Sequence, residues 1–182
     1  MALTSVYLSC LNAVALIIEN LGLSFTPDTG GSTIIPQIEV LKEPKVQEGL
    51  ETQGEPGDGP QLPVITVSPA PERQPTEAAG TEPYVFVVYP VDITIAAGGN
   101  RDFASNLDTW LNWRQTIRGQ FTGTVLPGVS QIYDTETDPE EAIDRDELQN
   151  NLDQSTLTVR FSSFESRAVA PVSTTTSTTT TT

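Results

Sequence analysis

The apolar positions of the first 25 residues recur with the spacing of an α-helix. They follow the i, i+3, i+4, i+7 rule and place one apolar face on that helix, made of Leu3, Val6, Tyr7, Cys10, Val14, Ile17, Ile18 and Leu21. Gly22 follows where a glycine that ends a helix is expected. The pattern predicts an amphipathic helix of about five turns packed on a sheet. Cys10 on its apolar face is expected to be a small buried residue rather than a reactive thiol.

Three later segments alternate apolar and polar residues with the period of two that marks a β-strand. In residues 33–41 the alternation carries Pro36, which favours an edge strand. Tyr84–Ala96 is the longest, and from Pro90 onward its opposite face turns polar at Asp92 and Thr94. Its apolar face is made of Val85, Val87, Tyr89, Val91, Ile93 and Ile95. Residues 156–161 alternate in the same way, and Phe164 breaks their parity. That break predicts a bulge or a strand end just before Phe164.

Two shorter apolar segments predict further strands, and helical spacing returns between them. Residues 62–67 read as a short buried strand, and residues 125–133 contain another candidate around Pro127. Ser105 followed by Asp108 resembles a capping box, and the helix after it is expected to end within residues 119–123. Its apolar positions are Phe103, Leu107, Trp110, Leu111, Ile117 and Phe121. Core packing is the preferred role of Trp110 and Trp113, because a base-stacking surface needs a basic setting.

This order of elements predicts an α+β fold. We expect a largely antiparallel sheet of about four to five strands with two helices on one face and long Pro/Gly-rich loops. Residues 1–167 form a single domain in this interpretation, with an extended arm at 26–61 and an acidic, Pro-rich loop at 69–83. Residues 168–182 are a Thr-rich tail, expected to be flexible or ordered by a neighbouring subunit.

Charge narrows the possible functions. The 182 residues carry a formal charge of −15, which argues against attraction to nucleic acid or anionic lipid. The chain has no histidine, which excludes Ser-His-Asp sites and histidine-ligated metals, and its single cysteine excludes an internal disulfide. No Lys or Arg occurs before Lys42, and polar residues interrupt the first apolar stretch. We therefore expect neither a signal peptide nor a membrane span.

The acidic segment 134–153 is the first candidate for chemistry. It holds nine acids and one base, and therefore eight of the fifteen excess negative charges. Its start resembles a calcium loop, but Pro139 stands at position six and Arg145 at position twelve, which excludes an EF-hand. A weak, irregular cation site stays open beside the ordinary interpretation as a solvated acidic run.

Catalysis and cofactor binding find little support in the sequence. No pair of carboxylates stands out for glycoside hydrolysis, and no nucleophile-elbow, phosphate-loop or dinucleotide-binding motif occurs. We therefore predict no catalytic, cofactor-binding or metal-binding residues. The candidates are interaction residues instead. The acids expected at a lumen or interface are Asp134, Glu136, Asp138, Glu140, Glu141, Asp144, Asp146 and Glu147. The bases expected to form ion pairs, within or between subunits, are Arg114, Arg118 and Arg145.

Several segments together carry a resemblance to a known family. They are LPVITV, YVFVVYPVDITIAAG, SNLDTWLNWRQTIRGQF with its D-x-W-like Asp108-Thr109-Trp110, and STLTVRFSSFE ending in Phe164-Glu165. In order and pattern they resemble the tail terminator, or tail completion, proteins of tailed bacteriophages, over about residues 1–21 and 62–167. The insert at 26–61 and the Thr-rich tail depart from that family.

The resemblance implies a structural, non-enzymatic virion protein in the neck of the phage, present in the host cytoplasm during assembly. Such a protein forms a ring, typically of about six copies, that stops tail-tube growth and joins the tail to the head. The implied partners are other copies of itself, the tail tube protein and the head–tail connector. DNA passes through the ring without specific binding, and no membrane is involved.

Three alternatives remain. A head-completion or neck adaptor protein of similar fold would give much the same pattern. A secreted acidic binding module with a Thr-rich stalk is disfavoured by the lack of a signal peptide. A carboxylate hydrolase is disfavoured by the lack of a catalytic constellation.

Overall fold

The computed structural model describes residues 5–28, 30–41, 62–70, 84–97, 101–104, 106–123, 125–137 and 154–166. These residues form, in chain order, α1 (Val6–Asn20), β1 (Gln37–Val40), β2 (Val64–Pro69), β3 (Tyr84–Ala96), α2 (Arg101–Ala104), α3 (Leu107–Phe121), β4 (Ile132–Thr137) and β5 (Gln154–Ser166). The fold is α+β, as the sequence predicts.

The five strands form one mixed sheet in the order β1-β2-β3-β5-β4. β1 runs parallel to β2, and the other neighbouring pairs are antiparallel. β3 and β5 are both 13 residues long and pair along their whole length, from Tyr84 opposite Ser166 to Ala96 opposite Gln154. They form the centre of the sheet, and β1 and β4 are its edges. The prediction of a largely antiparallel sheet is confirmed, with β1 as the parallel exception.

Helix α1 follows the predicted apolar pattern, in a shorter form. It has 15 residues, about four turns, and its buried residues are Cys10, Leu11, Val14, Ala15 and Ile18. Ile17, expected on the buried face, is half-buried, because the face centres on Leu11 and Val14. Gly22 has a φ of 61° and follows the helix as predicted. This left-handed conformation is one that glycine adopts without steric cost.

Helix α3 begins one residue later than the capping box predicts. The residue that caps it is Asn106, whose side-chain oxygen accepts a hydrogen bond from the backbone N–H of Thr109 at 2.9 Å. Ser105 as the cap is therefore wrong, and Asn106 performs the same role. The helix ends at Phe121, within the predicted range. Trp110 and Trp113 are buried as core residues, as predicted.

The strand predictions differ in accuracy. β3 has the predicted bounds, whereas β1 and β2 start later than expected. β5 continues through Phe164 with unbroken pairing to β3, so the bulge predicted before Phe164 is wrong. The strand predicted at 125–133 is also misplaced. Turns occupy most of that segment, and β4 starts only at Ile132.

Both long helices cover the same face of the sheet. The ring of Tyr7 on α1 lies 5.3 Å from that of Tyr89 on β3, and the ring of Phe121 on α3 lies 6.2 Å from that of Phe161 on β5. Tyr89 and Phe161 are paired residues, and residues paired across strands share a face. The core lies between this face of the sheet and the helices. The predicted arrangement of two helices on one side of the sheet is confirmed.

Of the arm predicted at 26–61, residues 26–28 and 30–41 are described and include the edge strand β1, so this part belongs to the sheet. Residues 42–61, most of the Pro-rich loop and the Thr-rich tail lie outside the described residues. The predictions made for them stay predictions.

Candidate interaction surface

The second side of the sheet, called the open face here, carries the even-numbered residues of β3 and β5. Among the described residues, no helix packs on it. The half of this face toward Ala96 and Gln154 carries a polar ladder. The hydroxyls of Thr94 and Thr156 lie 3.0 Å apart, and the hydroxyl of Thr158 donates to the Asp92 carboxylate at 2.6 Å. These cross-strand bonds pair the polar side chains of β3 and β5 with one another.

A β-bulge changes the direction of one side chain at the edge of the open face. The pairing of β4 with β5 shifts between Ile132, which faces the helices and is buried, and Asp134, which pairs with Ser162 on the open face. Tyr133 is the extra residue, and it is exposed rather than buried with Ile132. Bulges commonly redirect side chains in this way. The open face therefore receives two consecutive residues of β4, Tyr133 and Asp134.

Three aromatic side chains meet at this corner of the open face, and we call them the aromatic patch: Phe86, Tyr133 and Phe164. Phe86 and Phe164 are directly paired residues with ring centroids 5.7 Å apart, and Tyr133 stacks on Phe164 at 4.9 Å with an interplanar angle of 11°. They are 39%, 47% and 59% exposed. An exposed aromatic cluster that spans three strands is typical of a docking site, because large apolar contacts dominate binding energy.

Charged residues of β4 and β5 follow the aromatic patch along the open face. Asp134 and Glu136 of β4 are both exposed on the open face, and Arg160 of β5 is paired with Glu136 in the register. The Asp134 carboxylate also accepts the backbone N–H of Thr135 at 2.9 Å. Of the eight acids proposed from the sequence, these two lie in the described chain. Asp138, Glu140, Glu141, Asp144, Asp146 and Glu147 lie outside it, together with Arg145.

The two arginines of α3 have different environments. Arg114 is only 7% exposed, and its guanidinium donates to the Ser155 hydroxyl at 2.9 Å and to the backbone carbonyl of Thr156 at 2.6 Å. It therefore fastens α3 to the start of β5 within its own chain. Arg118 is exposed. Between these two, Arg118 is the one placed to reach another subunit, and its intersubunit role stays a prediction.

Two leucines of α3 lie on the solvent side rather than in the core. Leu107 and Leu111 are 48% and 38% exposed, contrary to their predicted place on the buried face. They lie beside that face, because the buried residues of α3 centre on Trp110, Trp113 and Ile117. Leu107, Leu111 and Arg118 are spaced by four and seven residues, which aligns them along one line of the helix. We call these three residues the α3 stripe.

Two tyrosine hydroxyls form hydrogen bonds that connect elements of the fold. The hydroxyl of Tyr89 donates to the Glu165 carboxylate, and the hydroxyl of Tyr7 donates to the carbonyl of Pro90. These bonds tie α1 and β5 to the middle of the sheet. Cys10 lies close enough for Glu165 to act on it, but burial is the main reason that the pKa of its thiol rises to about 12.

Two buried hydroxyls, those of Thr135 and Ser163, have no hydrogen-bond partner among the described residues. Among the described residues, no group of three or more acids or cysteines is arranged to hold a metal ion. The helices of the described chain include none that is long and apolar enough to cross a membrane.

The sequence interpretation missed the aromatic patch. A usable signal was present for two of its members. Phe86 and Phe164 occupy even-numbered positions of strands whose shared apolar face is odd-numbered (Val85 to Ile95 and Leu157 to Phe161), which predicts that both face away from the helices. Tyr133 gives no such signal, because only the bulge brings it to that face.

Comparison of the chain with protein families, with curated proteins and with solved structures finds no match.

Proposed function

We propose that this chain is a structural assembly protein that forms a homo-oligomeric ring at the head-proximal end of a phage tail. The ring stops polymerisation of the tail tube and joins the tail to the head connector. The single observation that supports this most is the aromatic patch on the open face, bordered by the acids of β4. Such a surface acts by binding another protein surface, and a terminator acts in the same way.

The resemblance to tail terminator proteins supports the specific role. It rests on an N-terminal helix, a long strand leading into a tryptophan-containing helix, and a final alternating strand. In the fold these segments are α1, β3, α3 and β5. A terminator needs one surface that binds the tube end, another that binds the connector, and lateral contacts that close the ring.

The acidic segment suggests where the lumen lies. Asp134 and Glu136 start a run that contains eight of the fifteen excess negative charges of the chain. We propose that this run lines or borders the channel, where repulsion of the phosphates lets DNA pass without sticking. In phage particles in which several acids of 134–147 are replaced by lysine, DNA should bind to the channel and be ejected more slowly. Unchanged ejection would count against an acidic lumen.

Native mass spectrometry of the purified full chain tests the ring, alone and with a tail tube protein encoded beside it. We expect one closed oligomer, and we expect small amounts of it to limit the length of tubes that the tube protein forms, as seen by electron microscopy. An unrelated acidic protein of similar size is the control for nonspecific charge effects.

A strict monomer under both conditions would overturn the ring. A closed ring that binds the connector and leaves tube growth unchanged would instead favour a head-completion protein.

A further inference from the structure

We infer that the aromatic patch of one copy receives the α3 stripe of the next copy, and that this head-to-tail contact builds the oligomer. The inference rests on the proposed ring and names the surfaces that form it. The patch lies on the open face of the sheet, whereas α3 lies on the helix-covered face. One subunit therefore presents the two surfaces in different directions.

The apolar parts of the two surfaces match in kind. Phe86, Tyr133 and Phe164 offer exposed rings on three neighbouring strands, and Leu107 and Leu111 offer exposed side chains one helical turn apart. A helix that lays spaced apolar side chains on an apolar surface is a recurrent mode of protein recognition. Aromatic anchors commonly carry most of the binding energy in such contacts.

Charge complementarity indicates which surface of the next copy binds the aromatic patch. Asp134 follows Tyr133 on β4, and Glu136 lies one residue pair farther along the open face, opposite Arg160 of β5, so these three residues carry one excess negative charge. Arg118 completes the α3 stripe with a basic group two turns beyond Leu111. Two open faces placed against each other would bring the same acids together, which costs binding energy. The α3 stripe combines leucines with a cation, so it complements the patch where a second open face does not.

Symmetry follows from the two different surfaces. A contact between unlike surfaces is heterologous, and repeating it gives either a closed ring or an open filament. A ring that ends polymerisation needs closure, so the geometry of this contact would set the number of copies.

Charge reversal tests the contact in the full chain. By sedimentation velocity in 0.2 M sodium chloride, where long-range repulsion is screened, Arg118→Glu should weaken association about threefold to tenfold, and so should the double variant Asp134→Lys/Glu136→Lys. Combining all three changes should restore association, because the charges are opposite again. Glu39→Lys, on the open face of β1, and Gln120→Glu, on α3 away from the stripe, are the matched controls and should associate normally.

Mixing two defective variants tests the head-to-tail arrangement. Phe164→Ser removes the patch and leaves the stripe, and Leu111→Ser does the reverse. Each should be monomeric alone, and an equal mixture should form a dimer and nothing larger, because only one functional contact remains per pair. Circular dichroism and urea unfolding verify that each variant is folded. Phe86→Ser replaces Phe164→Ser, and Leu107→Ser replaces Leu111→Ser, if the first choice does not fold.

The outcomes separate this inference from the proposed function. A wild-type chain that forms rings while the patch and stripe variants do so equally well overturns the inference and leaves the ring standing. A mixture that stays monomeric, although each variant is folded, overturns the head-to-tail pairing. A monomeric wild type overturns both.

Discussion

Cys10 is the one cysteine of the chain, and its side chain is buried on the sheet-facing side of α1. Burial raises the pKa of the thiol to about 12, and the Glu165 carboxylate adds to the shift. Only the thiolate attacks alkylating reagents. We therefore expect iodoacetamide at pH 8 to modify folded protein no faster than the chain opens, and to modify it fully in urea. Rapid stoichiometric labelling of the folded chain would contradict this.

The same shift links stability to pH. Below pH 9 the thiol is protonated in both the folded and the unfolded chain. Between pH 9 and about 12 the unfolded chain releases the proton and the folded chain keeps it, so the free energy of unfolding falls by up to about 1.4 kcal/mol per pH unit. Cys10→Ala lacks this loss. Urea unfolding at pH 8 and pH 10.5 should show a smaller decrease for the variant than for wild type, and equal decreases would contradict the linkage.

Arg114 contributes to stability through its contacts with β5. Replacing it with methionine keeps the apolar stem and removes the donors to Ser155 and Thr156. We expect a loss of about 1–3 kcal/mol in the free energy of unfolding, because hydrogen bonds of charged groups are strong and their loss leaves acceptors unpaired. Arg118→Met, on the exposed side of the same helix, is the control and should stay within about 0.5 kcal/mol. Equal effects of the two substitutions would refute this role.

The sequence predicts the environment of Cys10 but not that of Arg114. Cys10 shares the helical spacing of apolar neighbours, so its burial follows from the pattern. Arg114 is charged, and its spacing between Trp113 and Ile117 does not show that it will be buried. Its burial depends on acceptors in β5, which lies far along the chain. Sequence spacing alone does not reveal such a partner.

At the scale of elements, the start of α3 depends on Asn106. Its side chain satisfies the N–H of Thr109, one of the backbone donors that a helix leaves unpaired at its first turn. Asn106→Ala should lower the free energy of unfolding by about 1 kcal/mol, and Asn106→Ser should retain most of it. Thermal unfolding followed by circular dichroism measures both. Asn112→Ala, at an exposed position within the helix, is the control. An alanine at 106 that leaves stability unchanged would contradict the capping role.

Elements with long periodic patterns are predicted well, and those set by neighbouring strands are not. β3 has its predicted bounds because apolar residues occupy every odd position from Val85 to Ile95. The parity break at Phe164 predicts a bulge or strand end before it, whereas Phe164 lies on the opposite face of a continuous β5. Its position is stabilised by Phe86 and Tyr133, which come from other strands. The irregularity lies instead in β4, where Tyr133 and Asp134 have no sequence signal for a bulge.

The same limit applies to the candidate surface. Asp134 and Glu136 were identified from charge alone, and the structure places both beside the aromatic patch. The patch itself needs the order β3-β5-β4, which brings together strands that do not follow one another along the chain. Composition therefore identified the acidic border, and topology was required for the apolar centre.

At the scale of the whole molecule, a formal charge of −15 on each copy opposes assembly. The repulsion acts over the screening length of the solution, which falls from about 30 Å at 0.01 M salt to about 10 Å at 0.1 M. An exposed ion pair such as Arg118 with Glu136 would contribute only about 0–1 kcal/mol. Long-range repulsion between copies should therefore outweigh the local attraction when salt is low.

Assembly should consequently strengthen as salt increases. We expect the association constant from sedimentation equilibrium to rise between 0.02 M and 0.2 M sodium chloride, because screening removes repulsion while the apolar contact of Phe164 with Leu111 is little affected. Sucrose at the same osmolality controls for solvent effects other than screening and should leave the constant nearly unchanged. Association that weakens in salt would mean that close ion pairs, rather than the apolar patch, hold the copies together.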